Sequence, residues 1–186
     1  MKKLLMIVLM AGSLLVGSAC RLVDPFLIAL NLPLSVSATV SGGNFWNESK
    51  TYSIVDQITS VSPTYATKVK ATRISDILLS MPNPPATGTV SGSITYQLNG
   101  GTADTLATFT NVPFDSLRSP GISLAQSSLV HRNVAGLSNL LTAMQNATGL
   151  PLTATITVQT AGTTSVAVPA GTQIVATIDY QVDVSI

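Results

Sequence analysis

Residues 173–186 read QIVATIDYQVDVSI. Ile174, Ala176, Ile178, Tyr180, Val182, Val184 and Ile186 fall on one parity, and Gln173, Val175, Thr177, Asp179, Gln181, Asp183 and Ser185 on the other. Side chains alternate between the two faces of a strand, so a period of two sustained over this length specifies a long β-strand. One face is wholly apolar and the other mostly polar, which is the pattern of an antiparallel sheet with one side on a core.

Working outward, Leu34, Val36, Ala38 and Val40 alternate with Ser35, Ser37 and Thr39, and Gly42-Gly43-Asn44 ends that run. Tyr52, Ile54 and Ile58 suggest a second strand whose apolar face Asp56 interrupts, and residues 67–76 a third. Pro82, Pro84 and Pro85 require a loop, because proline cannot join an interior ladder. Val90, Ile94, Tyr96 and Leu98 share a strand face, with Gly92 marking a bulge or a close approach. Asn99-Gly100-Gly101 turns the chain into a strand from 105 to 112. Residues 113–133 read as irregular. Val134, Leu137, Leu140, Leu141 and Met144 then recur at helical spacing, with Asn133 placed to cap the start and Gly149 the end. Ala154, Ile156 and Val158 begin another strand, Ala161-Gly162 suggests a turn, and Val166 and Val168 follow before Pro169-Ala170-Gly171. The expected fold is mainly β: an antiparallel β-sandwich of about eight strands with one inserted α-helix, or alternatively a β-barrel.

Composition agrees. Charged residues make up 9% of the 186, against roughly 25% in an average soluble domain. Ser, Thr, Asn and Gln must therefore wet the surface, and Thr and Val favour pleated sheet. The net charge of +1 excludes nucleic-acid binding driven by charge. A single Cys and a single His exclude a His/Cys zinc cluster and a disulfide framework.

The first 19 residues read as an export signal: Lys2 and Lys3, then the apolar run Leu4–Val16, then Gly17, Ser18 and Ala19. The apolar run is shorter than the roughly 20 residues that span a bilayer. Cys20 follows directly. The stretch Val16-Gly17-Ser18-Ala19-Cys20 resembles the signal of bacterial lipoproteins, although that class prefers an apolar residue where Gly17 stands. Gly17 and Ala19 would equally suit an ordinary signal peptidase. The resemblance covers only these 20 residues. It implies cleavage before Cys20, a diacylglyceryl group on its thiol and fatty-acyl chains such as palmitate, hence a membrane anchor. Arg21, where an Asp would imply inner-membrane retention, implies the outer membrane. Cleavage would also remove Lys2 and Lys3, leaving 167 residues with net charge −1. The organisation expected is a signal over 1–19, an anchored segment over 20–33 and a β-sandwich domain over 34–186. The apolar run from Pro25 to Leu30 would pack on the domain or lie against the bilayer.

Chemistry is sparse. Any Ser-His-Asp triad would have to use His131, and Ser127 and Ser128 nearby are what a Ser-rich chain supplies by chance. Asp179 and Asp183 lie about 13 Å apart on one strand face, too far for a catalytic pair or one metal. Asn99 to Asp104 offers too few oxygens for calcium. Lys68, Lys70 and Arg73 fit the role of edge-strand charges that block aggregation. Phe45 and Trp46 are the candidate contacts with a ligand or partner, as stacking rings if exposed and as a plug for the sandwich end if not. No catalytic residue, metal site or cofactor is expected. The expectation is a lipid-anchored protein of the bacterial cell envelope that binds a protein or glycan partner and no nucleic acid. The alternatives are a periplasmic carrier of an apolar ligand and a carbohydrate-binding or adhesive module.

Overall fold

The alternating C-terminal stretch lies inside a sheet with a strand on either side. The computed structural model describes residues 27–40, 44–61, 63–64, 68–124, 126–147 and 155–185. The export signal, Cys20, Gly149 and Ile186 lie outside the described residues. Strand β9 (Gln173–Ser185) pairs with β1 (Leu27–Thr39) along its whole length, from Leu27 opposite Ser185 to Thr39 opposite Gln173. On its other side it pairs with β3 (Val69–Ser80), and the two-residue β6 (Ile122–Ser123) adds to β3 at Leu78 and Leu79. The order is β1-β9-β3-β6, all antiparallel.

A second antiparallel sheet has the order β2-β8-β4-β5-β7. Its strands are β2 (Phe45–Ser53), β4 (Thr89–Leu98), β5 (Asp104–Pro113), β7 (Val130–Arg132) and β8 (Thr155–Thr164). The two sheets stack as a sandwich and do not close into a barrel. Leu30, Leu32, Leu34, Val36 and Ala38 from β1 meet Ile156, Val158, Val90, Ile94 and Phe109 across one continuous core.

Two helices seal the layers. Helix α1 (Ile54–Val61) buries Ile54 and Ile58, and helix α2 (Val134–Ala147) packs on β3 and β5, one strand from each sheet. It lies where β6 and β7 are too short to cover the gap. Asn133 caps it as expected, accepting from Gly136 N at 3.1 Å. The Asn99-Gly100 turn is as read: both residues have positive φ, and Gly101 N donates to Leu98 O at 2.8 Å, the geometry of a type I′ hairpin turn.

Four sequence readings are corrected. Ile54 and Ile58 belong to a helix rather than a strand; four residues apart, they share one helical face, and Ser53 Oγ accepts from Asp56 N to cap it. Ala161-Gly162 does not turn but lies within β8, opposite Ser93 and Gly92 of β4. Val166 and Val168 lie in the connection to β9 rather than in a strand. The first strand begins at Leu27, so residues 27–33, expected in an anchored segment, belong to the sheet. Their backbone is held by β9, and Leu30 and Leu32 continue the buried face of Leu34.

Candidate binding face

Phe45 and Trp46 start β2, and alternation sends them to opposite sides. Trp46 is 2% exposed and Phe45 57% exposed. Trp46 stacks on Phe109 with ring centroids 6.4 Å apart and planes 8° from parallel, and its Nε1 donates to Thr160 Oγ1 at 3.4 Å. The pair is therefore split: Trp46 is a core residue and cannot stack on a ligand, and of the two candidate contacts Phe45 alone faces outward.

The face on which Phe45 stands is built by alternation. The β2 residues Asn47, Ser49 and Thr51 follow it at two-residue steps. Their partners on β8 are Ala161, Gln159 and Thr157, which in turn neighbour Ser93, Thr95 and Gln97 of β4. The outward positions of these three strands carry hydroxyl and amide groups with no ionisable side chain among them. Two cross-strand pairs are closed: Gln159 Nε2 donates to Asn47 Oδ1 at 2.6 Å, and the hydroxyls of Thr51 and Thr157 are 2.8 Å apart. The helices pack elsewhere, α1 against β1 and β2 and α2 against β3 and β5. The only titratable group bordering this surface across the sheet is His131, exposed on β7 opposite Thr108.

The ionisable groups gather on the other sheet. Arg73 bonds Asp183 at 3.1 Å and Gln181 at 2.6 Å. A bulge at Ser75 sets Asp76 directly opposite Asp179. Burial, and then the Asp76 carboxylate beside it, hold the Asp179 carboxyl above its ordinary range. Sequence spacing could not reveal this pair, because the partner strand is about a hundred residues away. Lys68 and Lys70 lie at the start of β3, on the stretch that β6 leaves unpaired, as edge charges do.

No catalytic constellation forms from the remaining candidates. Ser127 Oγ accepts from Leu129 N, and Asp104 accepts from Thr105 N and from Asn139 Nδ2. Burial and the neighbouring Asp104 raise the Tyr96 hydroxyl above its ordinary range, and that hydroxyl donates to Gly136 O. Among the described residues no three His, Cys, Asp or Glu side chains form a group that could hold a metal, and no helix is long and apolar enough to cross a membrane. The hollow between α2 and β3, lined by Ile74, Asp76, Arg132, Leu137 and Leu141, holds about 100 Å³. Two larger hollows, of about 390 and 510 Å³, open on the surface at the loops 82–83 with 169–173 and 101–104.

No protein-family model and no curated protein matches the chain. Solved structures give distant likenesses. A chain of turnip yellow mosaic virus is 14% identical, with 85% of this chain and 82% of that one aligned at a TM-score of 0.31. A chain of tobacco necrosis virus is 15% identical, with 84% and 97% aligned at a TM-score of 0.28. Scores this low carry no argument about function.

Proposed function

We propose that this is an exported lipoprotein of the bacterial cell envelope, anchored through Cys20, that works by binding at the outer face of its five-stranded sheet and not by catalysis. The observation that carries the binding reading is that face itself. It is a broad, uncharged array of hydroxyl and amide groups, with the exposed ring of Phe45 at one corner. The interior is filled by side chains, and the α2–β3 hollow falls below the roughly 300 Å³ at which ligand pockets begin. Surface binding is therefore preferred to carrying an apolar ligand.

The anchor reading rests on the Val16–Cys20 stretch. Two or three acyl chains on one residue give stable membrane attachment where one gives only marginal binding. The seven residues from Cys20 to Leu27 reach at most about 25 Å when fully extended. Such a tether would hold the β1 start near the bilayer. Phe45 would then stand at the far end of β1, about 40 Å away by strand rise. The test is the intact mass of the protein purified from its native membrane. A start at Cys20 with added diacylglyceryl and acyl mass is expected. An unmodified Cys20, or any other start, removes the anchor and leaves a secreted binder.

A further inference from the structure

We propose that the outer face of the five-stranded sheet takes a neutral, hydroxyl-rich polysaccharide, with Phe45 stacking on a sugar ring and the Asn47–Gln159 pair bonding its hydroxyls. This deepens the binding reading above and rests on it. Charge complementarity comes first. With no cation on β2, β8 or β4 the face offers nothing to a polyanion, and with no carboxylate it offers nothing to a cationic partner. A second copy of this chain fits poorly too. Stable homodimer interfaces are richer in apolar area than average surface, and this face presents chiefly Ser, Thr, Asn and Gln.

The amide pair is arranged for a diol. Gln159 Nε2 already donates to Asn47 Oδ1. That leaves the Asn47 Nδ2 hydrogens as donors beside Gln159 Oε1 as acceptor. Adjacent sugar hydroxyls need that combination, one accepting and one donating. The coupled Thr51 and Thr157 hydroxyls repeat the motif two residues along. Phe45 lies two residues from Asn47 on the same face, about 7 Å by strand rise, so a ring and a hydroxyl-binding pair can engage neighbouring units of one chain. Strands repeat at about 4.8 Å across the sheet, a spacing comparable to a sugar unit. Such a surface can follow a polymer along several residues.

The experiment uses the full-length processed protein from its native membrane, in detergent, against immobilised neutral polysaccharides (β-1,4-glucan and α-1,6-glucan) with heparin as a polyanion. Retention on a neutral polysaccharide, unchanged between low and high salt, is expected. Phe45→Ala and the double variant Asn47→Ala/Gln159→Ala should each weaken it roughly tenfold, the loss of one good contact, at an unaltered urea midpoint. Retention on heparin alone, or retention that these variants leave untouched, overturns the proposal. Self-association that Thr157→Arg abolishes overturns it in favour of a second copy. If neither neutral polysaccharide is retained but Thr157→Arg still frees the protein from its own envelope fraction, the polysaccharide inference falls and envelope binding stands. If Thr157→Arg also leaves that envelope association intact, both fall.

Discussion

Trp46 and Phe109 lie flat across two strands because those strands carry glycine beneath them. Trp46 pairs with Gly162, Gly162 with Gly92, and Gly92 with Phe109, so one row across four strands reads ring, gap, gap, ring. A Cβ on Gly162 would come within 2.2 Å of Ser91 O and 2.6 Å of the Trp46 ring; one on Gly92 would come within 2.3 Å of Ala161 O. Gly162→Ala should therefore cost about 1–3 kcal/mol, the range for overpacking, read as a lower urea midpoint. Phe45→Ala on the opposite face should stay within about 0.5 kcal/mol. Gly92 was legible as a close approach. Gly162 was not, since Ala-Gly reads locally as a turn and only the ring from β2 explains it. A second residue-scale expectation concerns Asp179. Its carboxyl titrates above 3.8 in the folded protein, first through burial and then through Asp76. The folded state thus binds the proton more tightly than the unfolded chain, and stability falls as pH rises through that window. Asp179→Asn should raise the urea midpoint at neutral pH, and the gain should vanish below the unfolded value of 3.8.

At the scale of elements, the misread segment is the most instructive. Tyr52, Ile54 and Ile58 are all buried, but the period changes from two to about four within this run. The change falls at Ser53, whose Oγ accepts from Asp56 N at 3.3 Å. Ser53→Ala should destabilise the protein by about 1 kcal/mol, the usual worth of such a cap, and reduce hydrogen-exchange protection in α1 more than elsewhere. Helix α2 was legible with its cap because its apolar spacing runs longer. The edge strand β1 shows a different device. Val40 N donates to Thr172 O, which sets the backbone of the even residues toward β9 and that of the odd residues away from it. Pro33 falls on the odd set, where its missing N–H removes a donor from the open edge, and the Tyr52 hydroxyl donates to Ser35 O two residues on. Pro33→Val should restore a donor to that edge and increase self-association in sedimentation velocity.

Across the whole molecule, the alternation in each strand predicted two sheets with one wet side each, and the fold is that. Alternation does not say which strands are neighbours. The uncharged face exists only because β8 lies between β2 and β4, joining Asn47 to Gln159 and Thr51 to Thr157 across more than a hundred residues. Reading Phe45-Trp46 as a pair likewise hid the one exposed ring behind its buried neighbour. The order of strands has a kinetic consequence as well. β9, the last strand, is the only one that β1 pairs with, and it lies between β1 and β3. Until it emerges, the four-stranded sheet has no centre, and the apolar faces of β1 and β3 have no ladder to join. A chain threaded through a membrane from its N-terminus can therefore not complete its first sheet early. It stays translocation-competent until its final residues are released, and the closing step, a contact between the two extremes of the sequence, is the slow kind.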